Sequence, residues 1–285
     1  MKKIFFILFA PVFLLFACKE IPPVINPQMN VDTDACELDI DVTDQTRHVL
    51  MEEFTGVRCV NCPSGSEVLE AIVGQYGEKV VAISIHAGSF SNPYAESQYN
   101  FQDTLTGSTE GLYSTLGPPI GYPAAVINRV FHNGSSRLPV INKDLWTGIV
   151  ETELTKPLTV KLGIAHTFDS DSRLLEICTK IFPQEDITDE DVRISIFLTE
   201  SDVVDLQETP EGKIPDYVHK HILRAAITAF DGNLITDPLT ANSVVERSFT
   251  YTIPDYWIAD NMEIIAVIHK GGVDKEVLQT VSKHL

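Results

Sequence analysis

Apolar positions along the chain follow two different periods. His48 to Phe54 (HVLMEEF) is a mostly apolar run of strand length, and Lys79 to His86 (KVVAISIH) is a second, rich in β-branched residues. Between them Val68, Leu69, Ile72, Val73 and Tyr76 recur at three- and four-residue spacing, which predicts a helix over 60–76 with Gly77 at its C-terminal cap. A strand, helix and strand of these lengths predict a βαβ unit, with parallel strands covered on both faces. Residues 88–120 are polar and Gly/Ser-rich, and a helical insertion is expected around 95–115. Ala124–Phe131 reads as another strand, His132-Asn133-Gly134 as a turn able to start a hairpin, and 142–155 as a closing helix. Past Pro157 the helical period vanishes. Segments 159–167, 174–182, 192–198, 218–228, 244–253, 263–269 and 277–281 read as strands separated by turns such as Asp169-Ser170-Asp171 and Asp231-Gly232-Asn233.

The pattern therefore divides the chain into an α/β part, 45–157, and an all-β part, 158–285, expected to be an antiparallel sandwich of the immunoglobulin-like kind. Ahead of both lies a different composition. Lys2 and Lys3 precede an apolar run from Ile4 to Phe16, which is shorter than the roughly 20 residues a membrane-spanning helix needs. It ends Leu15-Phe16-Ala17-Cys18, similar to a bacterial lipobox, which implies that residues 1–18 are a lipoprotein signal ending at a lipidated Cys18. The mature protein would then be tethered to a membrane rather than spanning it. Lys19-Glu20 resembles the surface-export signal of Bacteroidota lipoproteins. Residues 19–44, with three prolines and seven acids, read as an acidic linker.

Composition narrows the function. The 285 residues carry a net charge of -19, of which -11 falls in 158–285. Such acidity excludes nucleic acid, whose phosphates require a basic face, and polybasic docking on anionic lipid. No Gly-x-Ser-x-Gly, phosphate-binding loop or dinucleotide fingerprint occurs, so no cofactor is expected. Partners should be extracytoplasmic proteins, as cysteine-bearing substrates or surface ligands.

The densest chemistry lies in Glu52-Glu53-Phe54-Thr55-Gly56-Val57-Arg58-Cys59-Val60-Asn61-Cys62-Pro63. Two cysteines three apart, after a strand and at a helix start, are unequal. Cys59 is expected at the helix N-terminus, where free N–H groups and the macrodipole favour a thiolate, and Arg58 adds positive charge beside it. Cys62, one turn further in, is expected to resolve the mixed disulfide that Cys59 forms.

This arrangement resembles the thioredoxin superfamily over about residues 45–157. The resemblance implies that Glu53, six residues before Cys59, is a buried proton relay. It also implies that Pro123, in Gly121-Tyr122-Pro123-Ala124, is a cis-proline that docks substrate together with Tyr122. The chain departs from the family in having Arg58 where a tryptophan precedes the first cysteine, and Val60-Asn61 between the two. The interval from Cys59 to Pro123 is also about twenty residues longer. With the lipobox, the EEFTG…CxNCP opening and His219-Lys220-His221-Ile222-Leu223-Arg224-Ala225-Ala226, the whole is similar to a narrower family. These are the Bacteroidota outer-membrane lipoproteins named for a twenty-eight-kilodalton surface protein, described as adhesins or receptors.

Other readings stand beside these. The Cys59/Cys62 pair would also serve as a purely structural disulfide in an oxidising envelope, within an adhesin. Zinc would need a second close ligand pair, and no second CxxC exists. Cys36 and Cys178 are isolated in sequence, and their pairing is open. His219 and His221, two apart, read as a solvated strand face before a metal site, and no calcium loop appears.

Overall fold

The structure is a computed structural model that describes residues 34–101, 107–132 and 134–285. The signal-like segment with Cys18, linker residues 19–33, part of the 95–115 insertion and Asn133 of the expected turn lie outside the described residues. In chain order the elements begin with Val49–Thr55 (β1), Cys62–Tyr76 (α1), Val80–His86 (β2), Ser108–Leu116 (α2), Ala124–Ile127 (β3) and Trp146–Leu154 (α3). There follow Val160–Asp169 (β4), Leu174–Pro183 (β5), Val192–Glu200 (β6), Val203–Thr209 (β7), Gly212–His219 (β8) and Ile222–Ala226 (β9). Asn233–Leu234 (β10), Val245–Thr252 (β11), Met262–Lys270 (β12) and Val277–His284 (β13) complete the fold.

The βαβ unit forms as expected. β1 and β2 pair in parallel from Val49 opposite Val80 to Thr55 opposite His86, and every residue of both strands is buried. What the pattern did not reveal is how far this sheet extends. β13-β12-β6-β9-β2-β1-β3 form one mixed sheet, with β10 also pairing β6; β11-β5-β4 make a three-stranded sheet and β7-β8 a separate hairpin. Strands from both sides of Pro157 thus share a sheet, so that boundary separates no two sheets. The reason lies at β2, whose outer edge accepts β9 in parallel: Ser84 N–H donates to His221 O at 2.7 Å.

Both faces of the large sheet are apolar. One carries Leu50, Phe54, Val81, Ile83, Phe197 and Ile265 beneath Leu112 and Leu116 of α2. The other is shared: α1 and α3 cover Met51 and Ala82 with Leu69, Ile72 and Trp146, while the three-stranded sheet covers Ile196, Ile264 and Ala266 with Leu162, Ile177 and Ile181. The all-β part is therefore a sandwich only where β4, β5 and β11 lie over the far end of the mixed sheet.

Two strand boundaries differ from the sequence pattern. The expected 124–131 strand stops at Ile127, because Asn128 and Arg129 adopt φ of 48° and 54°. Asn128 Oδ1 accepts the Leu50 N–H at 2.9 Å, which fixes the turn. The turn sends Arg129 back beneath β1, where Nε and Nη2 meet Glu52 at 2.9 and 2.7 Å; both side chains are fully buried. The expected 218–228 strand is likewise split at His221, whose φ is 53°. His219 ends β8 and His221 precedes β9, so the two histidines share no strand face.

A bidentate pair sealed from water is costly to break from one side. Glu52→Leu alone should lower the unfolding free energy by about 3–5 kcal/mol, read from urea midpoints at constant slope. Glu52→Leu with Arg129→Met should recover most of that loss. A single variant as stable as the double would show that the bare guanidinium finds another partner.

Candidate active site

Cys59 and Cys62 are joined in a disulfide with Cα atoms 5.3 Å apart. Gly56 makes the preceding turn possible, since a side chain there would run into the backbone of Phe90, whose carbonyl accepts the Arg58 N–H at 2.9 Å. Cys59 N–H then bonds Gly56 O at 3.0 Å and Cys62 N–H bonds Cys59 O at 3.1 Å. Asn61, not Cys59, is the helix N-cap, and Pro63 follows at the first turn, where its missing N–H costs nothing. Cys59 therefore sits three residues ahead of α1 rather than on its terminus. It is 3% exposed and Cys62 1%, while Val60 between them stands out at 39%.

Glu53 lies in the middle of β1 opposite Ser84 of β2 and Ala125 of β3, fully buried beneath α1. Ser66 Oγ donates to its carboxylate at 3.2–3.4 Å and Ser84 Oγ at 3.5 Å. Burial dominates and pushes its pKa up to about 8, against the lowering effect of those hydroxyls. Tyr122-Pro123 is a cis peptide. Gly65, one turn after Cys62, fits between the two: a Cβ there would lie 2.6 Å from Pro123 carbons and 2.8 Å from Glu53 Oε1. Gly65 is a packing position that sequence reasoning passed over. Tyr122 packs on Phe54 and Phe90, donates its hydroxyl to Ala87 O at 2.9 Å, and has its pKa raised by burial.

Arg58 is placed differently from the expectation. Its guanidinium donates to the carbonyls of Asn92 and Pro93 at 2.6 and 2.7 Å and lies 4.2 Å from the Tyr94 ring centre. It fastens the 88–94 loop.

The β7-β8 hairpin, absent from the sequence pattern, covers this site. Gln207 Nε2 donates to Gly56 O and Cys59 O at 3.3 and 3.1 Å, and Glu208 N–H donates to Val57 O at 2.8 Å. Tyr94 OH bonds Glu208, and Lys213 stacks over the Tyr94 ring. Between hairpin and α1 lies a cleft of about 260 Å³ lined by Ser66, Glu70, Ser84, His86, Tyr217 and His219 among others. Burial pushes the His219 pKa down to about 4, and that of His86, whose ring nitrogens have no hydrogen-bond partner among the described residues, well below its usual value. A single β-branched alternation broken by Pro215 hid this hairpin; the turn pair Glu211-Gly212 was its only signal.

Cys36 and Cys178 are disulfide-bonded across 142 residues, which closes the question the sequence left open. His221 Nε2 lies 3.0 Å from Glu70, whose pKa is held at about 2 by His221 and Lys220 despite burial acting the other way. Among the described residues no group of three or more His, Cys, Asp or Glu is arranged to hold a metal ion. Nor is any helix among them long and apolar enough to cross a membrane.

A mixed sheet with a covered CxxC disulfide at the head of α1, and a buried acid beneath that helix, defines a β-rich protein. The model of the family described as outer membrane protein Omp28 matches residues 116–285, more than half of the chain, and the chain belongs to that family. The protein is accordingly an outer-membrane one. Among solved structures, HBP35 of Porphyromonas gingivalis is similar with a TM-score of 0.68 at 14% identity, covering 84% of this chain and 76% of that one; this is a likeness of fold. A domain of the outer membrane lipoprotein Omp28 from Porphyromonas gingivalis matches over 45% of this chain and 88% of its own at 14% identity, with a TM-score of 0.30 too low to add to the fold. No curated protein sequence matches.

Glu53 makes stability depend on pH in a stated direction. Its carboxyl ionises near 4.5 when unfolded and near 8 in the fold, so between these values only the native state holds the proton. Stability should therefore fall as pH rises through that window, by at most about 1.4 kcal/mol per pH unit, and level off above it. Glu53→Gln should flatten the profile, as measured by urea unfolding across this window. A wild-type profile already flat there would show that Glu53 ionises normally.

Proposed function

We propose that this protein is an outer-membrane lipoprotein, anchored through Cys18, that exchanges disulfides with extracytoplasmic proteins through a thioredoxin-like centre. The observation that carries the reading is the Cys59–Cys62 disulfide at the head of the helix that covers a buried Glu53, with Pro123 packed on the same helix at Gly65. A substrate thiolate attacks Cys59 Sγ, the bond to Cys62 breaks, and Cys62 leaves as a thiolate that takes a proton from Glu53. A second substrate thiolate then attacks its partner sulfur in the mixed disulfide, releasing an oxidised substrate and Cys59 as a thiolate. The same steps reversed reduce a substrate disulfide. A carboxyl with a pKa near 8 suits this role, being protonated when a leaving thiolate needs a proton and ionised when the thiol must be activated. Tyr122 and Pro123 would dock the substrate chain, and Arg58 would act by holding the adjoining loop.

One observation favours a second reading. Cys59 is 3% exposed under the β7-β8 hairpin, as a disulfide that merely staples a turn in an adhesin or receptor would be. The two readings separate in one experiment. Cys62→Ser should trap mixed disulfides through Cys59 in intact cells, and Cys59→Ser should abolish exchange while remaining folded. The loop closed by the pair is short, so its loss should cost only about 2 kcal/mol. A reduced wild-type protein that forms no mixed disulfide and whose Cys59 alkylates no faster than a free cysteine would establish the structural reading.

A further inference from the structure

Two cavities meet beside the disulfide. A groove past the CxxC turn is lined by Val60, Asn61 and Ile214, and the cleft behind it by His86 and His219; Pro63, Glu67 and Tyr217 line both. Val60 and Ile214 present exposed apolar side chains to this groove. The cleft holds about 260 Å³, below the roughly 300–1,000 Å³ of small-molecule pockets, which suits one side chain rather than a whole ligand. Its inner wall carries unused hydrogen-bonding capacity. His86 and His219 are 2% and 4% exposed, and neither the His86 ring nitrogens nor His219 Nε2 has a partner among the described residues. Burial keeps both rings neutral, so each offers one lone-pair nitrogen near neutral pH. Phe101 packs on both, with ring centres 4.9 and 4.7 Å away. Among the described residues no third ligand joins them to make a metal site.

The mouth of the cleft is acidic. Glu67 is exposed and makes no hydrogen bond or ion pair among the described residues. Glu70 is engaged by Lys220 at 2.8 Å, which leaves Glu67 as the net charge of the lining. Burial raises the Tyr217 pKa, and nearby carboxylates, Glu67 and Glu70 among them, raise it further, as a negative field requires. Deeper in, Asp205 and Arg224 act on His219 with opposite signs, and Arg224 is itself paired with Glu200 at 2.7 Å.

We infer that this cleft receives a basic side chain, arginine above lysine, from the substrate segment whose cysteine meets Cys59. The inference deepens the exchange reading and rests on it for that cysteine. A guanidinium has five donors and no acceptor. It can give hydrogen bonds to Glu67 at the mouth and to the imidazole nitrogens within, and stack on the Tyr217 ring. From Asn61 to Glu67 the helix rises about 9 Å, which about three residues of extended chain would span. The basic residue should therefore lie about three positions from the reactive cysteine, with Val60 and Ile214 supporting the chain between them.

The probes are a heptapeptide with a central cysteine and arginine at both ends, and its counterpart carrying citrulline, the neutral isostere. With serine in place of the cysteine, the arginine peptide should bind about fivefold tighter or more than the citrulline peptide, read by fluorescence anisotropy at physiological salt. Glu67→Gln at the surface, and His219→Phe, which keeps a ring against Phe101 and Tyr217, should each remove most of that preference. His219→Phe leaves the charge near neutral pH unaltered, so its effect separates the cleft from general attraction to an acidic protein. With the cysteine present, the rate of thiol–disulfide exchange should show the same preference. Equal binding of the two peptides, or a preference that survives in either folded variant, would overturn the inference. Exchange that ignores arginine would also overturn it, while leaving the proposed function standing. If the arginine preference in binding is found and both variants remove it, yet the wild type exchanges with no peptide, the cleft stands and the proposed function falls.

Discussion

Ser84 donates its backbone N–H to the carbonyl of His221, and through that parallel seam β2 receives β9 as its outer neighbour. The βαβ unit leaves one edge of β2 unpaired, and a buried edge cannot be left without partners. β9 is buried throughout, so it satisfies this edge and carries β6, β12 and β13 into the same sheet. The seam also dictates where the β7-β8 hairpin falls, because that hairpin leads directly into β9. Without it Gln207 could not reach the carbonyl of Cys59.

Two acids adjacent in sequence show how a strand uses its alternation. Glu52 and Glu53 point to opposite faces of β1, and both are fully buried. Glu52 meets a bidentate guanidinium, the partner a buried charge requires. Glu53 meets only serine hydroxyls and stays protonated instead. Partner chemistry, rather than depth, separates the ion-paired carboxylate from the one whose pKa is raised.

The local part of this arrangement was legible in the sequence. The apolar runs at 48–54 and 79–86, the helical spacing from Val68 to Tyr76, and the CxxC ahead of it each express short-range rules, and each appears within a few residues of its expected place. What escaped was set by long-range pairing. β3 ends early because Asn128 binds Leu50, seventy-eight residues away, and the turn there adopts dihedrals that residue type alone does not announce. The hairpin was hidden because β8 is largely exposed and carries a proline, so it lacks the buried alternation by which strands are recognised. His219 and His221 looked like neighbours on a strand face until His221 proved to be the corner where β9 begins. Arg58 was read from adjacency, while its long side chain follows the carbonyls of Asn92 and Pro93.

The Cys36–Cys178 bond joins the segment before β1 to the middle of β5, in the three-stranded sheet rather than the sheet that holds Glu53. Any mechanical pull arriving from upstream enters the body at Cys36 and is divided there. One share follows the backbone toward Val49, and the other passes through sulfur into a strand hydrogen-bonded on both sides to β4 and β11. The crosslink acts as a strain relief of the kind fitted where a cable enters an instrument. Only part of any tension from the preceding chain then reaches β1 and the Cys59–Cys62 turn, the rest being taken by the three-stranded sheet.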